Sequence, residues 1–345
     1  KALQDGVLAS TPAAFSAGSF SSAAVANAVS AATSAKKGGA LELVLYEKVG
    51  IGAGQGASNP WLQELPDPVT RATWDNYVIV SPALARTLLK IDLNNGGQAD
   101  AYEVNPPKPV VKVTVGGKTI ELPALIIPGT HPETIGIAVG YGRSESIGKA
   151  ANGVGKNAFG GASLQGNNIS YVNTSVEVVA TGEKYPVALT QTHSRYDTEQ
   201  GNRTEVMKEL TLAAYKHHPT EIREERAHEL KGQISGGEKL SNEEVLQKFE
   251  GAGTLYPVYD RPGIKWGMSV DLNACTGCGA CVVACNAENN VSVVGKPEVL
   301  RGHEMHWLRI DRYYSGDMDN PNVVFQPMMC QHCDNAPCEN VCPVA

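Results

Sequence analysis

The chain of 345 residues has no cysteine before position 275, and this absence is the first constraint on its class. A secreted fold held together by disulfides spreads its cysteines along the whole chain, so that class is disfavoured. Positive charge is not in excess either, because 29 Lys and Arg face 36 Asp and Glu, a net charge of −7. We therefore expect no nucleic-acid partner bound through a generally basic surface.

Long apolar runs and the common catalytic motifs are also missing. No segment reaches the roughly 18 consecutive apolar residues that a transmembrane helix needs. The sequence contains no P-loop and no G-x-S-x-G nucleophile elbow, so we expect no substrate site in this chain. It contains no C-x-x-C-H motif either, which excludes covalent c-type haem. The sequence opens on Lys1 without a signal peptide and stops shortly after Cys342, and both ends are expected to be the edges of an excerpt.

What the sequence does contain is 8 cysteines, arranged as two runs of four. The first run has the spacing C-x2-C-x2-C-x3-C, and its members are Cys275, Cys278, Cys281 and Cys285. The second has the spacing C-x2-C-x4-C-x3-C-P, and its members are Cys330, Cys333, Cys338 and Cys342. The first spacing is that of bacterial ferredoxins, where the fourth cysteine of a run binds the other cluster. The pattern therefore predicts that all of these thiolates are metal ligands in 4Fe–4S clusters.

Small residues separate the cysteines of the first run, namely Thr276, Gly277, Gly279 and Ala280. They predict a tight loop whose backbone approaches the cluster and donates N–H groups to its sulfides. Cys285 is expected at the start of a helix, directed toward a second cluster.

Zinc is the competing interpretation of the cysteines. Structural zinc sites with four cysteine ligands use two C-x2-C pairs separated by a longer spacer. Cys281 has no role in that pattern, which favours iron over zinc. A zinc-binding structural module on a β scaffold is kept as the less favoured alternative.

Upstream of the cysteines, the sequence predicts an α+β chain. Short apolar or alternating runs indicate a barrel-like domain over 40–192, with strands at 41–46, 77–80, 110–115, 118–122, 124–127, 135–139, 176–180 and 185–189. An Ala/Ser-rich segment, 1–35, precedes the barrel. A helical linker, 193–262, follows it, with helices expected at 204–218, 220–231 and 241–249. Residues 263–345 are expected to form an incomplete ferredoxin-like iron–sulfur domain, with strands at 266–270, 307–313 and 323–326.

A glycine loop in the barrel region imitates a dinucleotide-binding motif. Gly52-x-Gly54-x-x-Ala57 follows a predicted strand, as a Rossmann fingerprint would. Such a motif opens a helix whose N-terminus holds the pyrophosphate, whereas Asn59-Pro60 indicates that no helix follows here. We therefore interpret the motif as a flexible loop, and expect residues 40–192 to bind neither a dinucleotide nor molybdopterin.

Three stretches of this region resemble the C-terminal barrel domain of molybdopterin oxidoreductases. They are NPWLQELPDPVT at 59–70, TWDNY at 73–77 and PGTHPETIGIAVGYGR at 128–143. Fused to ferredoxin-like sequence in one chain, such a domain is similar to the iron–sulfur B subunit of alternative complex III, a bacterial quinol-oxidising complex. The resemblance covers roughly residues 40–345.

The resemblance implies an electron-transfer subunit that relays electrons from quinol through iron–sulfur clusters in a membrane-bound respiratory complex. It implies a molybdopterin-like part without molybdopterin, three 4Fe–4S clusters and one 3Fe–4S cluster. The implied partners form a hetero-oligomer: an integral-membrane quinone-handling subunit and multihaem c-type cytochrome subunits. The implied location is peripheral, on the periplasmic face of the bacterial inner membrane.

Two assignments of the cysteines to clusters are open: the two-cluster ferredoxin arrangement and the arrangement that the family resemblance implies. Within two runs alone, Cys342 would complete the cluster of Cys275, Cys278 and Cys281. The family has four runs, in which the first shares clusters with the fourth, and this pairing is the favoured one. A further alternative is the iron–sulfur subunit of an active molybdoenzyme of the polysulfide or dimethyl-sulfoxide reductase type.

Overall fold

The computed structural model describes residues 21–34, 39–165, 168–198, 201–202, 207–234, 236–252, 263–264, 267–330 and 338. The chain divides into two compact units, Lys1–Gly38 and Gly39–Ala345. The described part of the first unit is helix α1, Ser22–Ser34, which is rich in alanine and carries no charged residue at either end.

Six strands of the described chain close into a barrel. Their bounds are β1 Leu41–Tyr46, β2 Val78–Val80, β3 Pro107–Val115, β4 Lys118–Ile126, β5 Thr134–Ala138 and β8 Val172–Pro186. Around the barrel they follow the order β1–β5–β2–β4–β3–β8. The pairs β1–β5 and β2–β4 are parallel, and the other neighbouring pairs are antiparallel. The predicted mixed architecture with a barrel is confirmed.

The barrel interior follows from the alternation of apolar residues along these strands. The fully buried side chains of the core come from both parallel pairs and from β3; they include Leu43, Leu45, Val78, Val80, Val111, Val113, Ile135 and Ile137. Gly116 and Gly117, with φ angles of 55° and 76°, form the turn between β3 and β4, as the predicted hairpin requires.

One strand, β8, replaces the two that the sequence indicated at 176–180 and 185–189. It pairs with β3 from Pro186 back to Val176, and the register shifts between Pro109 and Val111. Gly182 takes a φ of 82° within this strand. A bulge that includes Gly182 therefore joins the two predicted strands into one.

Short elements surround the barrel and lead to the linker. Those around the barrel are α2 Pro60–Glu64, α3 Pro82–Leu88, α4 Gly96–Val104, β6 Ser163–Gln165 and β7 Asn168–Ser170. Those beyond it are β9 Asp197–Thr198, β10 Gly201–Asn202, α5 Leu212–His217, α6 Glu221–Lys231 and α7 Asn242–Ala252.

Two of the three helices predicted in the linker, at 220–231 and 241–249, are present close to their predicted bounds. The capping box of α7 is confirmed, because Ser241 N donates to Glu244 Oε2 (2.8 Å) and Glu244 N donates to Ser241 Oγ (3.3 Å). Helix α5 is shorter than predicted. It begins after Thr211, whose hydroxyl caps it by accepting the N–H of Ala214 at 3.1 Å, and residues 203–206 lie outside the described chain.

The cysteine-bearing part contains α8 Ala280–Glu288, α9 Lys296–Val299, β11 Leu308–Ser315 and β12 Asn322–Met329. Strands β11 and β12 form the predicted antiparallel pair. The prediction of a strand at 266–270 is wrong for 267–270, which form no strand. Trp266 lies outside the described residues. Within the described ranges, no helix has the length and apolar character needed to cross a membrane.

Candidate metal centre

The first cysteine run lies on a sharply turned loop that leads into helix α8. Gly277 and Gly279 adopt positive φ angles of 69° and 79°, a conformation that glycine reaches without steric cost. Gly279 is the N-cap of α8, so Cys281 lies in the first helical turn. The loop has the close turns that its small residues predicted.

Three thiols of this run are close enough to influence one another. Desolvation is the largest cause that raises the pKa of the Cys281 thiol, and the neighbouring Cys278 and Cys275 raise it further. The backbone N–H groups of Val282 and of Cys281 itself act in the opposite direction. Backbone donors at a helix N-terminus stabilise a thiolate, which is the form that binds iron.

Cys285 is not at the start of a helix, as the sequence analysis expected, but in the second turn of α8. The helix starts earlier, at Ala280, because Gly279 supplies a left-handed N-cap directly after Cys278. Cys281 and Cys285 are therefore four residues apart, and side chains with this spacing lie on the same face of a helix.

The cluster loop is shaped by close packing against two other parts of the chain. A Cβ atom added to Gly277 would lie 2.5 Å from Cε1 of Phe325 in β12. One added to Gly279 would lie 3.4 Å from Cδ1 of Leu65 in the barrel. Gly277 is thus required both by its backbone conformation and by the ring against which it packs.

The second run is described in part. Cys330 directly follows β12, and its backbone N–H donates to the carbonyl oxygen of Trp307 at 3.1 Å. Cys330 and Cys338 are both exposed. Cys333 and Cys342 lie outside the described residues, so the sharing of clusters between the runs stays a prediction.

A single-ion site is not formed by the described residues, among which no three His, Cys, Asp or Glu side chains converge closely enough. In an iron–sulfur cluster the thiolates bind different irons and need not converge on one point. The spacing of the cysteines and the conformation of the glycine loop are therefore the features that support the cluster prediction.

The barrel holds the segment after α8 through polar contacts that the sequence analysis missed. The buried carboxylate of Glu64 accepts the backbone N–H groups of Val294 (3.1 Å) and Gly295 (2.7 Å). Trp61 donates its indole N–H to the carbonyl oxygen of Val291 at 2.8 Å. These bonds tie helix α2 of the barrel to the chain that immediately follows the first cysteine run.

An ion pair lies in the same interface. The Nζ atom of Lys296 contacts Oδ2 of Asp75, whose side chain is only 5% exposed. The same Nζ donates to the hydroxyl of Tyr185 at 2.7 Å. Asp75 and Lys296 are 221 positions apart in sequence, and no local pattern connects them. The stretches 59–70 and 73–77, noted for their family resemblance, thus supply the barrel side of this interface.

Apolar and backbone contacts extend the interface. Four buried side chains pack together across it: Leu65, Val282, Leu308 and Ile310. On the other side of β11, Tyr314 N donates to Ser194 O at 2.6 Å, and Tyr196 N donates to Tyr314 O at 3.1 Å. The barrel and the cysteine-bearing segment therefore share one continuous packed body within the second unit.

Several polar atoms at this interface are buried without a hydrogen-bond partner among the described residues. They are Nε of Arg71, Nε and Nη1 of Arg312, and Oε2 of Glu304. Arg71 and Glu304 line a cavity of about 150 Å³, together with His306. Burial lowers the pKa of His306. The cavity has room for several water molecules, which would satisfy the Arg71 and Glu304 atoms.

The glycine loop at 52–57 is followed by a helix, contrary to the expectation from the sequence. Helix α2 begins at Pro60, whose fixed φ suits the first helical position. Asn59 caps it by accepting the N–H of Trp61 at 2.9 Å. The proline that suggested an irregular chain therefore marks a helix start.

The amide groups of both glycines in the second half of this loop are already bonded to a backbone carbonyl. The N–H groups of Gly54 and Gly56 donate to the carbonyl oxygen of Ile51 at 3.0 and 3.1 Å. The guanidinium of Arg143 occupies the space at the Gly54 α-carbon and donates to Ala53 O at 2.9 Å. The loop is closed on itself and on Arg143, whereas a phosphate-binding loop points its amides at the ligand.

Comparison with known proteins adds a domain assignment for the cysteine-bearing segment. Residues 274–345 match the family model described as "4Fe-4S dicluster domain". The match supports iron–sulfur clusters as the cofactors of this segment, as its cysteine spacing predicts.

Three curated relatives are similar to part of the chain. The iron–sulfur cluster-binding subunit of menaquinone reductase from Nitratidesulfovibrio vulgaris is 41% identical over 83 residues, which are 24% of this chain and 32% of the relative. The arsenate respiratory reductase iron–sulfur subunit ArrB from Shewanella sp. is 35% identical over 80 residues, covering 23% and 30%. The tetrathionate reductase B subunit from Archaeoglobus fulgidus is 40% identical over 82 residues, covering 24% and 33%. The chain thus spans about a third of the length of these relatives.

Proposed function

We propose that the chain is part of an electron-transfer subunit that relays electrons from quinol through iron–sulfur clusters in a membrane-bound respiratory complex. The observation that carries the proposal is the first cysteine run, whose glycine loop leads into the N-terminus of α8 within a 4Fe–4S dicluster segment. In this proposal the cluster ligands are the thiolates of Cys275, Cys278, Cys281, Cys285, Cys330, Cys333, Cys338 and Cys342.

The two runs, in this proposal, do not complete one another's clusters. One cluster is bound by Cys275, Cys278 and Cys281 without Cys342. Cys285 faces an adjacent cluster. The folded insertion between the runs supports this arrangement, because 286–329 contains α9 and the β11–β12 hairpin. Sulfur–iron distances test it: a Cys342 sulfur about 2.3 Å from an iron of the Cys275 cluster, a bonding distance, would establish the compact pairing instead.

The barrel acts in this proposal as a scaffold without molybdopterin or a dinucleotide. In its glycine loop the amides of Gly54 and Gly56 are bonded to Ile51 O, and its buried Glu64 and Asp75 face the cysteine-bearing segment. Pterin fluorescence after acid extraction, in amounts stoichiometric with the chain, would refute the scaffold role.

The larger assembly we propose is of the alternative complex III type. A molybdopterin-oxidoreductase-like barrel joined to a dicluster segment in one chain supports it, as does a relative named as a menaquinone reductase subunit. The proposed domains are 1–35, 40–192, 193–262 and 263–345. The proposed hetero-oligomeric partners are an integral-membrane quinone-handling subunit and multihaem c-type cytochromes, on the periplasmic face of the inner membrane. A 3Fe–4S cluster is expected in the full subunit.

A second candidate is the iron–sulfur subunit of an active molybdoenzyme. Relatives named as subunits of arsenate and tetrathionate reductases favour this candidate. Both candidates require the same ligands in this chain but differ in whether the assembly contains molybdenum.

The deciding experiment is metal analysis of the native complex for iron, acid-labile sulfide, zinc and molybdenum. We expect iron and sulfide, without stoichiometric zinc or molybdenum. Cys278→Ser should lose one cluster, about four irons, and should interrupt turnover while quinol still binds. The matched control is Asn273→Ala, an exposed position in the same segment, which should keep both. Full iron content and normal turnover in Cys278→Ser would refute the proposal.

A further inference from the structure

Helix α8 ends at Glu288, one turn after Cys285, and Asn289 is its C-cap residue. The backbone N–H of Asn289 donates to Cys285 O at 3.0 Å, and that of Val291 donates to Asn286 O at 3.0 Å. Asn290 takes a left-handed φ of 48° between these two bonds. The left-handed residue and the bond from Val291 to Asn286 are two features of a Schellman cap, and they fix the backbone at the end of the helix.

The side chain of Asn289 turns back from this cap onto Cys285. Its Nδ2 donates to the Cys285 carbonyl oxygen at 3.0 Å and to the Cys285 sulfur at 3.6 Å. The amide is uncharged over the whole working pH range. It therefore offers the sulfur a hydrogen bond without adding or removing charge.

The barrel fixes the position of this cap. Trp61 donates its indole N–H to Val291 O at 2.8 Å, and Val291 is the residue whose own N–H closes the cap onto Asn286. The chain beyond it is held by Glu64 through the N–H groups of Val294 and Gly295. The donor that faces Cys285 is thus supported from the barrel.

We propose that Asn289 is a positioning residue that donates a hydrogen bond to the Cys285 thiolate and raises the reduction potential of the cluster that Cys285 ligates. This inference rests on the proposed function, in which Cys285 is a cluster ligand. An added electron increases the negative charge on the thiolate ligands, so an N–H donor stabilises the reduced cluster more than the oxidised one. Trp61 contributes by holding the cap in place.

The experiment is a redox titration of the purified complex, followed by electron paramagnetic resonance, with Asn289→Leu and Asn289→Ala. Both remove the donor; leucine keeps the branched shape of asparagine, and both replacements leave the charge unchanged. We expect unchanged iron content and a reduction potential lowered by about 59 mV. For a one-electron couple, this shift makes the ratio of reduced to oxidised cluster roughly tenfold smaller at a fixed applied potential. Asn290→Gly is the matched control, because it keeps the left-handed cap and leaves Asn289 in place; it should not shift the potential.

Trp61→Phe provides a second, independent variant. It keeps an aromatic ring but removes the bond to Val291, and it should shift the same potential in the same direction by a smaller amount. An unchanged potential in iron-replete Asn289→Leu would overturn the inference. Loss of the cluster in both Asn289 variants, with Asn290→Gly intact, would also overturn it, because Asn289 would then be a structural cap only. Absence of iron from the unmodified complex would instead refute the proposed function.

Discussion

Replacement of Glu64 by glutamine is expected to loosen the segment that follows helix α8. Gly295 N and the Trp74 indole donate to Oε2 of Glu64, and Val294 N donates to Oε1. Glutamine has one acceptor oxygen, so at least one partly buried donor loses its partner and the remaining bonds become neutral. A buried donor without a partner costs about 1–3 kcal/mol. We therefore expect local destabilisation of about 2 kcal/mol, or roughly 30-fold in the opening equilibrium.

Amide hydrogen exchange in the native complex measures this effect at the residues concerned. The amides of Val294 and Gly295 should exchange roughly 30-fold faster in Glu64→Gln, while those of strand β3 should keep their protection. Glu47→Gln is the matched control, because Glu47 is an exposed carboxylate of the same barrel; its effect should stay within about 0.5 kcal/mol. Unchanged protection of Val294 and Gly295 in Glu64→Gln would show that the carboxylate does not hold this segment.

Three further changes test other parts of the structure. Gly277→Ala should reduce iron content, since its methyl group would meet the Phe325 ring at 2.5 Å and its φ of 69° disfavours alanine; normal iron content would contradict this packing. Lys296→Met leaves the carboxylate of Asp75 buried and should lower the free energy of unfolding by about 2–3 kcal/mol, which denaturation with urea would measure. Burial lowers the pKa of Lys48 from 10.5 to about 8. Between pH 8 and pH 10 the unfolded chain therefore binds more protons than the folded chain, so the thermal midpoint should rise with pH. Above that range the buried tyrosines, whose pKa is raised by burial, act in the opposite direction. Lys48→Met should flatten the rise.

The barrel was predictable because its strands carry their signal locally. Alternating apolar residues mark the β3–β4 hairpin, and Gly116-Gly117 marks its turn. The cysteine spacing likewise indicates the chemistry of the C-terminal segment without reference to any other part of the chain. The start of helix α8 was misjudged, since a glycine in the left-handed conformation can cap a helix immediately after a ligand, as Gly279 does after Cys278.

The interface between the barrel and the cysteine-bearing segment was not predictable from the sequence. Glu64 and Asp75 are charged residues, which are usually exposed, yet they are only 2% and 3% exposed here. Their partners, Gly295 and Lys296, are more than 200 positions away. Tertiary packing alone creates these contacts, and neither helical nor strand periodicity reports them. The resemblance to molybdopterin oxidoreductases drew attention to the stretch 59–77, but it did not indicate the segment 294–296 that this stretch contacts.

One stretch of the barrel contacts both ends of the helix that carries Cys281 and Cys285. At its start, Leu65 packs on Gly279, the N-cap residue. At its end, Trp61 binds the carbonyl oxygen of Val291, in the cap that follows Cys285. A helix fixed at both ends cannot slide or rotate relative to the barrel without breaking one of these contacts. In the proposed electron-transfer function, in which the barrel is a scaffold, these contacts keep the Cys281 and Cys285 side chains in place relative to the barrel.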